Sequence, residues 1–207
     1  MTLLAGDLLR AATRDVHARL HDDPAFAPVL ADPPDMPGYI RLLLRLQQFH
    51  VPAEARLFEA AARLLPGLDD LAGRRKAHLL GLDLATLGSA VFGGAAFGGA
   101  APVPSPIATL PALLGGLYVV EGATLGGRDL ARRLAPSLGR LGLSGAEGRR
   151  FFMAYEPRQG AMWRRFCAEL EAAAAGFTAA ERQAMQNAAR ETFLSLERGL
   201  AADAVAA

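Results

Sequence analysis

Apolar side chains recur at helical spacing along most of the chain, and no long stretch alternates apolar and polar residues with a period of two. Alanine, leucine and arginine dominate while β-branched residues are scarce, which favours helices over strands. The first helix is predicted from about Leu3 to Leu20. Its predicted apolar stripe consists of Leu4, Leu8, Ala12, Val16 and Leu20. The pattern therefore predicts an all-α protein.

The same periodicity predicts six further helices, separated by segments rich in proline and glycine. They cover about Tyr39–Leu65 with a kink at Pro52, Asp69–Leu87, Ala108–Leu134, Ala146–Ala154, Pro157–Ala175 and Ala179–Leu200. Five prolines predict a loop over 21–38, and Gly88–Pro106 is predicted to be an ordered connector. Thr178 and Glu181 form a capping-box pattern at the last helix. We expect one domain over residues 1–207, with a frayed tail over 201–207.

Composition narrows the functional classes. The chain has 207 residues, of which 52% are hydrophobic, and its 22 basic and 21 acidic residues leave a net charge of +1. This balance excludes an intrinsically disordered chain and argues against a nucleic-acid partner. Cys167 is the single cysteine, which fits a reducing compartment. The chain shows no signal-peptide pattern, and glycines and prolines interrupt its longest uncharged stretch, so we expect a cytoplasmic protein without a membrane span.

Common catalytic motifs are absent from the sequence: there is no phosphate-binding loop, no nucleophile elbow and no Glu-x-x-His pair. His17 and His21 have a spacing that could hold zinc, but no third ligand lies near them in sequence. His78 follows the basic run 74–76 and is interpreted as solvated surface, whereas Cys167 is interpreted as a small buried hydrophobe.

The run GGLYVVEGATLGGRDLARRL places five glycines in a predicted helix, at 115, 116, 122, 126 and 127. Each glycine costs a helix roughly 0.5–1 kcal/mol relative to alanine. Two accounts remain open. Gly122 and Gly126 could allow close contact between two helices. Alternatively, the helix could press bare backbone against a flat ligand that any Cβ would obstruct.

Two stretches together resemble the haem oxygenase family, especially the bacterial forms associated with bacteriophytochromes. LRAATRDVHARLH is similar to the helix that carries the family's proximal histidine, and YVVEGATLGG is similar to its glycine-rich distal helix. The resemblance extends through the segments that begin at Gly38, Glu156 and Thr192, and so along nearly the whole chain. It implies a haem-oxygenase-like helical bundle with haem between the two helices.

The resemblance implies roles for residues of the first helix. His17 falls on the axial ligand of the haem iron, and Arg10 falls on a basic residue that meets a haem propionate. Thr13 belongs to the same ATxxVH motif and is expected to contact haem. Arg10 and His17 are two turns apart, about 10 Å along the axis. Arg165 falls on a second propionate-binding position, for which Arg164 is a close alternative.

Other roles follow from the distal helix and the last helix. Gly122 and Gly126 fall on the catalytic backbone segment that presses on the haem face, and Gly127 belongs to the same segment. Phe193 falls on an aromatic residue that walls the haem pocket.

The sequence also departs from the family. Ala123 replaces the distal acid that organises water in many members, and Val119 replaces the arginine that supports it. His50 stands where the family has a distal tyrosine, and His21 where a carboxylate orients the proximal imidazole. We therefore predict that His50, together with ordered water, contributes to proton delivery.

The activity implied by the resemblance is opening of haem, as cofactor and substrate, to biliverdin by O2, with release of CO and ferrous iron. Electrons would come from an external donor such as a ferredoxin or another reductase, and a bacteriophytochrome could receive the bilin. Two alternatives remain: a haem-binding or haem-shuttling protein without oxygenase activity, and a thiaminase-type relative with another small-molecule function.

Overall fold

A computed structural model describes residues 4–92 and 107–201, and within these ranges it contains helices and no strands. A short 3-10 helix covers Pro24–Phe26. The α-helices are α1 (Ala5–His21), α2 (Ala27–Leu30), α3 (Met36–Leu64), α4 (Leu71–Arg74), α5 (Ala77–Phe92), α6 (Leu110–Arg140), α7 (Gln159–Ala174) and α8 (Ala179–Ala201). Their buried apolar residues form one core cluster. The predicted all-α class is confirmed.

Helices with clear local end signals lie close to their predicted bounds. The first and the last two begin and end within two residues of expectation. At α8, the Thr178 amide and hydroxyl both donate to the Glu181 carboxylate, and the Glu181 amide donates back to the Thr178 hydroxyl. The capping box is therefore confirmed. The predicted fraying at 202–207 lies outside the described residues.

Elsewhere the boundaries required correction. The helix predicted over 69–87 is interrupted, since Arg75 is extended and separates α4 from α5. The second piece continues to Phe92, so Gly88 belongs to a helix; residues 93–106 of the predicted connector lie outside the described residues. The predicted loop over 21–38 contains the 3-10 helix and α2, and α6 continues beyond Leu134 through Pro136.

The helix predicted over 146–154 does not form. That segment is a series of turns; Gly148 within it has a φ of +74°, and Gly145 immediately before it has a φ of +56°. The Asp83 carboxylate accepts the amides of Arg150 and Phe151, each at 2.9 Å, so these donors bind a side chain of α5 instead of helical carbonyls. A partner 67 or more residues away thus decides the conformation of this loop.

The apolar stripe of α1 lies about one residue from its predicted register. Its buried residues are Ala5, Leu9, Thr13 and Val16, whereas Leu4 is 60% exposed. The Glu171 carboxylate of α7 accepts the amides of Ala5 and Gly6, each at 2.8 Å, and so docks the first turn of α1 against α7. Docking at this end fixes which face of the helix turns inward.

α6 is the most apolar long helix among the described residues. It is long and apolar enough to cross a membrane by length and composition, but 61% of its most apolar window is buried inside the molecule. It packs against α8, α3 and α7. Burial of this kind is typical of a core helix.

Candidate functional site

The glycines of α6 have two different environments. At Gly115 an added Cβ would collide with the backbone of α8, at the Met185 carbonyl oxygen and, at 2.7 Å, the Ala189 amide. At Gly127 it would meet Phe152 at 3.0 Å. At Gly126, by contrast, it would meet nothing within 4 Å. Close packing therefore explains the first two glycines but not Gly126.

Gly122 lies at the edge of the open region. An added Cβ there would be in ordinary contact, at 3.7 Å, with the Trp163 ring of α7. Trp163 packs against Tyr118, which lies one turn before Gly122, with ring centroids 5.7 Å apart. One side of α6 is thus bounded by two aromatic rings, Tyr118 of α6 itself and Trp163 of α7. Beyond them, at Gly126, no side chain covers the backbone of α6.

Of the proximal candidates on α1, His17 and Arg10 are exposed and Thr13 is not. The His17 ring stands edge-on to Phe193 of α8, with centroids 5.9 Å apart, while Phe193 itself is only 8% exposed. Arg10 is also exposed, and its guanidinium lies beside the Tyr118 hydroxyl. Burial raises the pKa of Tyr118, and Arg10 partly offsets that rise. Thr13 is buried, and its hydroxyl donates to the Leu9 carbonyl at 2.8 Å.

Contacts with α7 show the relative direction of α1 and α6. Along α1, Ala5 meets Glu171 and Arg10 lies near Cys167, so α1 and α7 are antiparallel. Burial raises the pKa of the Cys167 thiol, with Glu171 adding to the rise and Arg10 opposing it. Along α6, Tyr118 lies near Cys167, whereas Gly122 comes next to Trp163, an earlier residue of α7. Because α6 is also antiparallel to α7, α1 and α6 run in the same direction.

This shared direction brings His17 and the open glycines to one level. From the contact between Arg10 and Tyr118, His17 lies two turns further along α1 and Gly126 two turns further along α6. At 1.5 Å per residue these are about 10 Å and about 12 Å. The arrangement combines an exposed imidazole with an aromatic residue beside it on α1 and α8, and an uncovered stretch of backbone at a similar height on α6.

The two arginines predicted as alternatives lie on different sides of α7. Arg165 forms an ion pair with Asp69 at 2.7 Å, which argues against the ligand-binding role predicted for it. Arg164 shares a helical stripe with Cys167 and Glu171, the residues of α7 that lie near α1. The Arg164 side chain extends back along α7 by one turn: its Nη1 atom lies 3.3 Å from where a Cβ on Gly160 would be. This direction is towards the open region of α6. The structure favours Arg164.

His50 is enclosed in the core. Its ring packs against Phe49 and Phe151, at centroid distances of 5.0 and 4.8 Å, and the residue is 1% exposed. Burial, reinforced by the Lys76 charge, lowers the pKa of His50 to about 3. A neutral and enclosed imidazole is not an acid available at neutral pH, which argues against the proton-delivery role predicted for it.

A buried polar cluster beneath α6 was not predicted. Arg74 and Lys76 are both 0% exposed, although a basic run such as 74–76 is normally solvated. Arg74 donates to the Glu121 carboxylate at 2.7 Å, and the Tyr155 hydroxyl donates to the same carboxylate at 3.1 Å. Glu54 accepts the Lys76 amide at 2.9 Å. One sequence signal pointed here: Glu121 is the only charged residue between positions 84 and 127, so it needed a buried partner.

Burial governs the ionisation of this cluster. It raises the pKa of Glu54. Hydrogen bonds from the amides of Ala77 and Lys76, together with the Lys76 charge, oppose part of that rise. Burial lowers the pKa of Lys76, against the opposing charges of Glu121 and Glu54. The His50 Nδ1 atom and the Glu54 Oε1 atom lie 3.8 Å apart, and neither has a hydrogen-bond partner among the described residues.

The two remaining histidines, His21 and His78, are exposed.

Comparison with known proteins gives a fold assignment. No protein-family model and no curated protein sequence matches the chain. The NO- and CO-bound haem oxygenase from Neisseria meningitidis is similar in structure, with a TM-score of 0.71, 22% identity, and coverage of 99% of this chain and 96% of that one. The haem oxygenase from Leptospira interrogans has a TM-score of 0.73, 16% identity, and coverage of 96% and 98%. The chain therefore adopts the fold of these bacterial haem oxygenases over nearly its entire length.

Proposed function

We propose that the protein is a haem oxygenase that opens haem to biliverdin, with release of CO and ferrous iron. The observation that carries this proposal is the exposed His17 imidazole at the level of the uncovered backbone at Gly126. The fold shared with bacterial haem oxygenases supports it. A flat macrocycle needs an iron ligand on one face and small residues on the other, and these two helices offer both.

The residues present suit haem as a substrate. His17 would hold the haem iron from α1 through a ring nitrogen. Phe193, edge-on to that ring, would limit its rotation. Arg10 and Arg164, both exposed, would pair with the propionate carboxylates as guanidinium groups do with anions.

The open face of α6 would restrict the other side. Gly126 leaves room for a macrocycle that a larger residue would obstruct, while Trp163 bounds the space at Gly122. Haem bound there supplies iron that activates O2 once electrons arrive. Neither Val119, which is buried, nor Ala123 carries an exchangeable side-chain proton. We therefore assign proton delivery at this face to water.

Several partners follow from the proposed chemistry. The sequence contains no nicotinamide- or flavin-binding signature, so the electrons would come from a ferredoxin or another reductase. The bilin product could supply a bacteriophytochrome. A cytoplasmic location would suit both partners.

A hemin titration with matched histidine variants tests the proposal. We expect wild-type protein to bind one hemin with the absorption spectrum of an imidazole ligand, and to convert it to a bilin when ascorbate and air are added. His17→Ala should lose the imidazole ligation and the turnover. His21→Ala, one turn further along the same helix and also exposed, should keep both.

The outcomes separate the candidate functions. Stoichiometric binding through His17 with no bilin would contradict the oxygenase and favour the haem-shuttling alternative. Absence of specific hemin binding would contradict both. Equal behaviour of the His17→Ala and wild-type proteins would overturn the assignment of the ligand.

A further inference from the structure

We infer that Lys76 and Gln159 are positioning residues that set where the open backbone of α6 meets a flat ligand. The inference rests on the proposed function, because it assigns to these residues control over the position of ring opening. Neither residue belongs to the open face. Both act on the main chain of α6 from its buried side.

The two side chains bind carbonyl groups on either side of Gly122. The Lys76 ammonium donates to the Val120 carbonyl at 2.6 Å, and the Gln159 amide donates to the Thr124 carbonyl at 3.4 Å. These carbonyls lie one helical turn apart and belong to an unbroken helix. Each bond ties the main chain of α6 to another segment of the protein, which makes local opening of the helix there less favourable. The two donors therefore fix the position of the main chain next to Gly122.

The cost of burying Lys76 indicates a purpose other than stability. The residue is 0% exposed, and its ammonium lies over the Tyr155 ring at 4.9 Å from the centroid. Taking an ammonium group out of water costs several kcal/mol, and well-packed apolar residues often stabilise such a position as well or better. The burial of the Lys76 charge is explained if its hydrogen bond to the Val120 carbonyl holds that carbonyl in a position that the function requires.

Gln159 connects the same segment to Trp163 of α7. It is 7% exposed and is the first residue of α7, and its amide nitrogen also donates to the Ala154 carbonyl at 3.0 Å. Trp163, one turn further along α7, is the side chain that bounds Gly122. Gln159 thus fixes α6 relative to the ring that limits the open region.

The experiment compares Lys76→Met and Gln159→Met with Asp83→Asn. The first two remove the donors to α6 while retaining an unbranched side chain. Asp83 is equally buried, but it binds the amides of the 141–158 loop and makes no described hydrogen bond to α6. Asp83→Asn therefore controls for a general loss of stability. Gln159→Met is the milder variant if Lys76→Met fails to fold.

Three readouts are measured: hydrogen exchange of the α6 amides in the ligand-free protein, the affinity of bound ferric hemin for exogenous imidazole, and the bilin isomer distribution. We expect both methionine variants to bind hemin through His17. We also expect exchange at residues 124–128 to be at least about fivefold faster, with changes in imidazole affinity and isomer distribution. Asp83→Asn should leave the imidazole affinity and the isomer distribution unchanged. It should speed exchange at 124–128 less than either methionine variant does, because its effect reaches α6 only through the packing of Phe152 on Gly127.

Unchanged exchange, affinity and isomers in both methionine variants would overturn the inference, as would equal changes in Asp83→Asn. The exchange readout needs no hemin. If wild-type protein binds no hemin, the proposed function fails, and faster exchange would still support the positioning role of Lys76 and Gln159 while unchanged exchange would overturn it.

Discussion

Gly115 and Gly126, in the two halves of α6, have opposite surroundings. At Gly115 the glycine allows α8 to approach so closely that a Cβ would meet the backbone of Met185 and Ala189. At Gly126 no protein atom lies within 4 Å of the place of a Cβ. The sequence alone left both accounts open for the run; close packing explains Gly115 and, in the second half, Gly127, but not Gly126. The proposed ligand would account for the helix cost of Gly126, whereas Gly139, near the end of the same helix, is equally uncovered and serves as the control position.

The largest expected effect comes from the buried side of the open half. Arg74→Met leaves Glu121 buried without its ion-pair partner, and loss of such a partner costs about 3–5 kcal/mol. Urea unfolding of the purified variant measures this loss. Arg132→Met, which removes an exposed pair with Asp129 at 2.6 Å, serves as the control and should leave the midpoint unchanged. Equal midpoints for Arg74→Met and wild type would show that the buried pair does not hold α6.

Gly115→Ala tests the packed half directly. The added methyl group must push α6 away from α8, and overpacking of this kind costs about 1–3 kcal/mol. The free energy of unfolding should fall accordingly. Gly139→Ala, at an exposed position of the same helix with no atom within 4 Å, should not be destabilised. A stable Gly115→Ala protein would contradict the close packing of α6 on α8.

The buried cluster under α6 should also show in the pH dependence of stability. His50 takes up a proton near its ordinary pKa of 6.5 when unfolded, but only near 3 when folded. Its contribution to stability is therefore complete above pH 6.5 and decreases as pH falls towards 3. From pH 7 to 5.5 the loss is about 1 kcal/mol. His50→Phe should remove this part of the slope in urea unfolding curves. An unchanged slope would show that His50 is protonated in the fold.

Gly126→Ala should have the smallest effect on the fold, and one of opposite sign. With open space around the new methyl group, the variant gains helix propensity of about 0.5–1 kcal/mol. Thermal unfolding of the ligand-free protein would show a slightly higher midpoint. A clear loss of stability would mean that Gly126 has a packing role after all.

Local chemistry made some parts of the fold predictable from sequence. The cap at Thr178 and Glu181 and the apolar periodicity gave the bounds of α8, because both signals lie within a few residues of the helix end. The loop over 141–158 could not be derived in this way. Its amides at Arg150 and Phe151 bind Asp83, a residue distant in sequence, so glycines and a remote carboxylate outweigh local helix propensity.

The same distinction applies to the site. Two short motifs predict His17 and Gly126 as site residues, and this stays a prediction that the hemin experiments test. The burial of Arg74 was not predicted, because its partner Glu121 lies 47 residues away and a basic run is normally solvated. Arg165 pairs with Asp69, a residue distant in sequence, so the sequence alone could not show a reason to prefer Arg164.

The most direct test of the central claim is the hemin dissociation constant of ligand-free wild type, Gly126→Leu and Gly139→Leu. Both positions are exposed glycines of α6 with open space around them, so neither leucine should disturb the fold. We predict that Gly126→Leu weakens hemin binding at least about tenfold, or about 1.4 kcal/mol, while Gly139→Leu binds as wild type does. Equal affinity in all three proteins would contradict the claim that the uncovered backbone of α6 receives haem.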